Sequence, residues 1–267
     1  PALRVTPVRE AFSYWKPRQT DAHGRGQWSG DVRTRFGRLV RDSLLMGRMH
    51  RIQSVLAHKE AAILRKRAAF VPGRTVYLGW LTQHFGHFLL ESLARVWPLV
   101  AAPSNFSDVR FAFHLRDDQC SGEDVFDVYK LAPDYLPILG IDANRLIAIR
   151  APIVFERLYV PTPAFVYSHY CHPYQGKVWE AIAGPQEGRP YRQLYFSRRD
   201  YENPSFGSKR PLDNEAAVEA VFASYGFQIV YPDRVASGEI RRLLRQAKIL
   251  AGAVGSNMHN CVFLPQG

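Results

Sequence analysis

Between Gln83 and Trp97 the sequence reads QHFGHFLLESLARVW, and four of these residues are of types that bind, orient or move protons. Projected at the roughly 100° per residue of an α-helix, His84, His87, Glu91 and Arg95 fall within about 60° of one another, with only Phe88 among them. Phe85, Leu89, Leu90, Leu93, Val96 and Trp97 form the opposite, apolar face. A solvated face is usually rich in Lys and Glu, whereas this one is His-His-Glu-Arg. Gly86 costs about 1 kcal/mol inside a helix and suits a place where another group comes close. An imidazole such as His87 can take a proton from a hydroxyl, and Glu91, one turn on, can orient that ring. His84 and Arg95 then belong to the acceptor side. Two other readings stay open: a plain solvated face, and a metal site in which His169 or Cys171 joins His84 and His87. The latter lacks the i, i+4 spacing of a zinc-protease helix.

A second group of residues suits an anion. Residues 251–260, AGAVGSNMHN, follow an apolar run, and their small side chains let backbone N–H groups approach a phosphate. The lysine of a P-loop and a clean GxGxxG are both missing, so a tight turn without a ligand is the competing reading. Ser197, Arg198 and Arg199 end the strand expected at 193–196, where α/β sheets place ligands, and guanidinium forks suit a diphosphate.

The elements that must position these residues alternate. Strands are expected at 76–78, 110–114, 146–149 and 158–160, with helices over 84–97 (stopped by Pro98) and 125–131. A polar stretch at 183–190 with two glycines and two prolines reads as a linker. Beyond it come a strand at 193–196, a helix at 214–225, a strand at 228–231, a helix at 238–247 and a strand from 249. The division is therefore 1–185, an acceptor-side α/β domain with a basic helical N-terminal region, and 186–267, a smaller α/β domain that looks truncated. That basic region is read as a helix over 43–69, carrying Arg48, His50, Arg51, Lys59, Arg65, Lys66 and Arg67 against an apolar set that includes Leu44, Ile52, Ile63 and Leu64.

The 267 residues contain 46% hydrophobic and 13% aromatic side chains, enough for a sizeable core and inconsistent with a disordered chain. No apolar run reaches the roughly 18–20 residues of a membrane span, and no signal peptide opens the sequence. Three cysteines, Cys120, Cys171 and Cys261, have no paired spacing, which fits a reducing, cytoplasmic compartment. Lys plus Arg exceed Asp plus Glu by 35 to 24, giving +11. Such a surplus calls for an anionic partner. No nucleic-acid-binding motif accompanies it, so a phosphorylated substrate, an acidic glycan or the anionic inner face of a membrane is expected instead. A non-catalytic protein that binds acidic glycans or lipid head groups, and a His-based metal-dependent hydrolase, are the rival functional readings.

Five blocks taken together resemble glycosyltransferase family 61: HFGHFLLESLARVW (84–97), LYFSRRD (194–200), NE (214–215), YGFQIVYP (225–232) and AGAVGSNMHNCVFLPQG (251–267). The resemblance implies a GT-B architecture of two Rossmann-like lobes facing a cleft. It also implies inverting, metal-independent sugar transfer from a nucleotide-diphosphate donor, UDP-linked and with no further cofactor, to a hydroxyl of a glycan or lipid-linked acceptor. Bacterial members serve capsule or surface-polysaccharide synthesis. The resemblance assigns His87 and Glu91 to catalysis. It assigns Arg198, Arg199, Asn214, Glu215, Gly255, Ser256, His259 and Asn260 to the donor. The stretch Gly255 to Asn260 departs from the family's Gly-Ala-Gly-Leu-Asn-like run, which bears on the identity of the sugar.

Overall fold

The computed structural model of the protein describes residues 2–14, 16–20, 26–44, 57–115, 131–186, 188–199 and 212–265. It divides into two compact units, Pro1–Val178 and Trp179–Gly267. The division falls inside a helix, just before the linker expected at 183–190. Arg48, His50, Arg51, Cys120 and most of the helix expected at 125–131 lie outside the described residues.

The N-terminal unit is built on a six-stranded mixed sheet. Its strands in chain order are β1 (Val5–Ser13), β4 (Val32–Arg33), β5 (Ala69–Leu81), β6 (Arg110–Leu115), β7 (Leu146–Ile149) and β8 (Ile153–Pro161). A separate hairpin of β2 (Lys16–Thr20) and β3 (Gly26–Ser29) comes between β1 and β4. The spatial order is β4-β1-β8-β5-β6-β7. Strands β8, β5, β6 and β7 are parallel, while β1 is antiparallel to both β8 and β4. Of the helix expected over 43–69, residues 45–56 lie outside the described residues. The one α-helix described in that stretch, α1, spans only His58–Lys66, and Ala69 already opens β5. Strand β5 is far longer than the expected 76–78, and residues 75–81 are buried without alternation, as a central strand covered on both faces requires. Val76, Tyr77, Leu78, Phe111, Phe155 and Leu158 are sealed in this core, each worth about 1.5–3 kcal/mol as a buried side chain.

A histidine sits inside that core. His114 on β6 donates from Nε2 to the Tyr14 carbonyl at 2.9 Å, with Ser13 Oγ also 3.1 Å away. The Ser13 hydroxyl donates to the Asp31 carbonyl at 2.8 Å. The Nδ1 of His114 accepts from the Tyr77 hydroxyl at 2.8 Å, and Trp80 stacks on the ring at 4.8 Å. Burial outweighs the other influences and depresses the pKa of His114 to about 3; burial likewise pushes the Tyr77 phenol up, so it stays a donor.

The C-terminal unit carries three parallel strands, β11 (Arg192–Phe196), β12 (Gln228–Val230) and β13 (Ala247–Gly252), in the order β12-β11-β13. Between the hairpin strands β9 (Phe165–Val166) and β10 (Tyr170–Cys171) and β11 lies the helix Pro173–Ala183. Helix Glu215–Ser224 joins β11 to β12, and helix Ser237–Arg245 joins β12 to β13. The three strands and the two helices that join them follow the sequence expectation to within two residues at either end, punctuated by Gly226 and Pro232, whereas β9, β10 and the helix Pro173–Ala183 have no counterpart in it.

Candidate active site

In the N-terminal unit the segment after β5 is not one helix. Thr82 N–H donates to Ser92 Oγ at 3.2 Å, and Thr82 Oγ1 accepts from His84 N–H at 3.4 Å. One α-turn, Phe85–His87, then passes into a π-turn, Phe88–Ser92, closed by Leu93 N–H to the Phe88 carbonyl at 3.2 Å. A further short helix, Trp97–Ala101, starts with Pro98 in its first turn, so this proline opens a helix where the sequence reading had it end one. π-turns of this kind recur at functional sites because they re-aim side chains. Buried Phe88, Leu89, Leu90 and Leu93 pin the turn to the core, with the Phe88 ring 5.5 Å from Tyr135.

The turn brings His87 and Glu91 together. His87 Nδ1 lies 2.6 Å from Glu91 Oε2, with the side chains 31% and 7% exposed. A carboxylate only accepts, so Nδ1 carries the hydrogen and the ring's other nitrogen, Nε2, is the one suited to exchange a proton. A nearly buried acid thus fixes the tautomer and orientation of a half-exposed imidazole. The His84 ring lies beside it, 4.9 Å between centroids at a tilt of 56°.

Arg95 does not join this face. It is fully buried, donating from Nε and Nη2 to the Asp42 carbonyl at 3.1 and 2.7 Å and from Nη2 to the Leu44 carbonyl at 2.8 Å. Its guanidinium lies 5.8 Å from the centre of the Tyr77 ring. A Cβ on Gly79, where φ is +91°, would stand 2.6 Å from Arg95 Nη1. Burial lowers the pKa of Arg95, opposed by Tyr77, Asp42 and Tyr170. The acceptor-side role expected for Arg95 is therefore corrected: its charge holds backbone carbonyls inside the unit, away from solvent.

In the C-terminal unit the chain leaves the middle strand β11 for one neighbour and returns to the other side as β13. The carboxyl ends of β11 and β13 therefore form a topological switch point, where open α/β sheets bind ligands. A Cβ on Gly252 would lie 2.8 Å from the Phe196 carbonyl oxygen and 3.0 Å from Met258 Sδ, so the two strands can approach this closely only with glycine. Arg198, from the β11 end, reaches across. Its Nη1 donates to the Val254 carbonyl at 3.4 Å and would stand 2.8 Å from a Cβ on Gly255. Arg198, Gly255 and the half-buried Ser256 thus meet at one place.

The other expected donor residues are engaged elsewhere. Arg199 turns toward β12, pairing with Glu219 Oε2 at 3.1 Å and donating to the Tyr231 hydroxyl at 2.7 Å. Buried Glu215 accepts at Oε1 from the Tyr195 hydroxyl at 2.8 Å and from Arg198 N–H at 3.3 Å. Burial first, and this bond second, hold Tyr195 in its phenol form. Asn214 is exposed at the helix N-terminus and makes no side-chain cap. Asn260 is buried and donates to the Asn257 carbonyl at 2.9 Å inside its own turn, while His259 is half-buried beside it. Sequence reasoning missed the support beneath Arg198 and Arg199, in which Ser197 Oγ donates to Glu219 Oε1 at 2.6 Å and accepts from Arg199 N–H at 3.0 Å. Two glutamates four residues apart in an otherwise Ala- and Val-rich helix were the signal that carboxylates face the sheet.

Among the described residues no group of three or more His, Cys, Asp and Glu is arranged to hold a metal ion. His172, next to Cys171, stacks on Tyr174 at 5.7 Å and accepts from its N–H at 3.2 Å.

An oriented imidazole in one mixed α/β unit and an arginine at a sheet switch point in the other are parts suited to a group-transfer enzyme. The sequence model of the glycosyltransferase 61 family matches residues 85–267, well over half of the chain and including His87, Glu91 and the C-terminal group. The protein belongs to that family and is a glycosyltransferase, an enzyme that moves a sugar from a donor to an acceptor. No curated protein gives a significant match.

Proposed function

We propose that the protein is an inverting, metal-independent glycosyltransferase of GT-B type, with acceptor chemistry in the N-terminal unit and a nucleoside diphosphate, UDP in the first instance, held by the C-terminal unit. His87 Nε2 takes the proton of an acceptor hydroxyl as that oxygen attacks the anomeric carbon. The bond from carbon to the diphosphate oxygen breaks on the opposite face, so the configuration inverts in one displacement. Glu91 keeps the ring in its Nδ1–H tautomer and stabilises the imidazolium that forms. Arg198 and the backbone at Gly255 and Ser256 offset the charge gathering on the departing diphosphate. The acceptor is a hydroxyl of a glycan or lipid-linked glycan, and the pathway is capsule or surface-polysaccharide synthesis in the cytoplasm.

The observation that carries this reading is the 2.6 Å contact between His87 and Glu91 within the segment matched to the family. Its test is binding of UDP, GDP, CDP and CMP, each with and without a divalent ion, followed by product stereochemistry. Binding of one diphosphate without metal, and inversion at the anomeric carbon, are expected. A strict metal requirement or retained configuration overturns the reading.

A further inference from the structure

Around helix α1, on one face of the N-terminal sheet, exposed apolar side chains stand among basic ones. Phe12, Val154 and Phe70 form a row across β1, β8 and β5, Phe12 pairing with Val154 and Val154 with Phe70. Directly paired residues on neighbouring strands point to the same face. Helix α1 covers part of that row, Ala61 and Leu64 packing with Phe12 and Val154, yet Phe70 remains 60% exposed. On another flank of α1 a cavity of about 160 Å³ is lined by Phe12, Ala61, Arg65 and the turn carrying Arg35 and Phe36. Phe36 is 68% exposed there, with the Arg35 guanidinium 4.6 Å from its ring centre. Ile63, which the sequence reading placed on the apolar side of a helix, is 58% exposed on the side of α1 away from the core. Exposed Lys59, Lys66 and Arg67 surround it, as exposed Arg35 and Arg38 surround Phe36. Among the described residues the acidic groups of this face include Glu60 on α1, Glu10, which lies 3.6 Å from Arg65, and Glu156 on β8, which accepts from Gly73 N–H at 2.7 Å.

We propose that this face, with Phe36, Ile63 and Phe70 at its crest, docks on an anionic lipid bilayer. Single exposed apolar side chains are ordinary, but apolar side chains grouped on one face and rimmed by polar ones mark an interaction site. At a bilayer they enter the boundary between head groups and acyl chains while the basic side chains meet lipid phosphates. A soluble polyanion engages the charges and leaves the apolar crest in water, so it accounts for only half of the pattern. The proposal does not depend on the role of His87.

The test is co-sedimentation of the full chain with phosphatidylcholine vesicles, with and without about a third phosphatidylglycerol. Binding is expected only to the phosphatidylglycerol vesicles, and added salt weakens it. The double variant Phe36→Ser with Ile63→Ser should weaken it by about tenfold or more, and Phe70→Ser alone should weaken it by about fivefold. Lys59→Gln and Lys66→Gln should cost about fivefold each. Thermal melting checks that each variant is folded, and the Phe36/Ile63 pair alone decides the matter if Phe70→Ser melts early. Absence of binding to phosphatidylglycerol vesicles overturns the proposal. So does undiminished binding by the folded Phe36/Ile63 variant, which would leave a surface for soluble polyanions only.

Discussion

His114 and His87 belong to the same unit, and both imidazoles have oxygen partners, yet they do opposite work. Ser13, His114 and Tyr77, with the Asp31 carbonyl behind Ser13, contain the residue types of a nucleophilic site. Every one of them is buried, and the ring is clamped neutral between a carbonyl and a phenol. His87 has a buried carboxylate at Nδ1 and about a third of its side chain open to solvent. Residue type does not separate a structural histidine from a catalytic one. Access on one side and a fixed partner on the other do.

The largest effect expected from breaking this contrast is on stability. His114→Leu leaves the Tyr14 carbonyl unpaired and the Tyr77 hydroxyl with only its longer bond to the Ser43 carbonyl at 3.2 Å, costing on the order of 2–4 kcal/mol. The enzyme that remains folded should transfer sugar at an ordinary rate, and denaturant melts beside rate measurements check both. His114 also sets a pH dependence. Its pKa falls from 6.5 to about 3 on folding, so between those values the unfolded chain binds a proton that the native protein refuses. Its stabilising contribution is complete above pH 6.5 and is lost progressively as pH falls toward 3. Melting temperature followed across that window should drop, and the drop should flatten in His114→Gln.

Glu91→Gln is expected next in size, and in rate instead of stability. The amide can no longer stabilise the imidazolium, so kcat should fall by about 10²-fold or more, within the range for a general base, while nucleotide affinity stays level. A fall in affinity with unchanged kcat would move Glu91 to substrate binding. A smaller contrast separates two neighbours in the other unit. Arg198→Ala should weaken diphosphate binding by about 1.5–3 kcal/mol, the worth of a hydrogen bond to a charged group. Arg199→Ala, which loses contacts to Glu219 and Tyr231, should change it by under about 0.5 kcal/mol. Calorimetric titration with UDP distinguishes them, and equal losses would show that both arginines face the ligand.

The sequence made the C-terminal unit readable because its strands are short apolar runs set off by residues such as Gly226 and Pro232. In the N-terminal unit β6 and β7 fall where expected, but β1 to β4 and the full lengths of β5 and β8 were hard to read. In β1 the buried positions are Val8, then Ala11, Phe12 and Ser13, since Glu10 at φ +46° breaks the alternation. A period-two pattern cannot be followed across such a break. The helical projection of 84–97 put His87 and Glu91 on one face, and they are in contact. It failed at Arg95 because the π-turn shifts every later residue off the assumed angle, and because three backbone bonds reward burying a guanidinium that composition marks as polar. Glu215 shows the same limit, since a carboxylate beside a strand end reads alike whether it meets a ligand or buttresses Tyr195.

The most direct test of the account is sugar transfer by His87→Ala, measured together with UDP affinity. Loss of one general base predicts a rate lower by about 10²–10⁴-fold, with affinity within a few-fold of the parent enzyme. Turnover at the parental rate would contradict the assignment of His87 as the base.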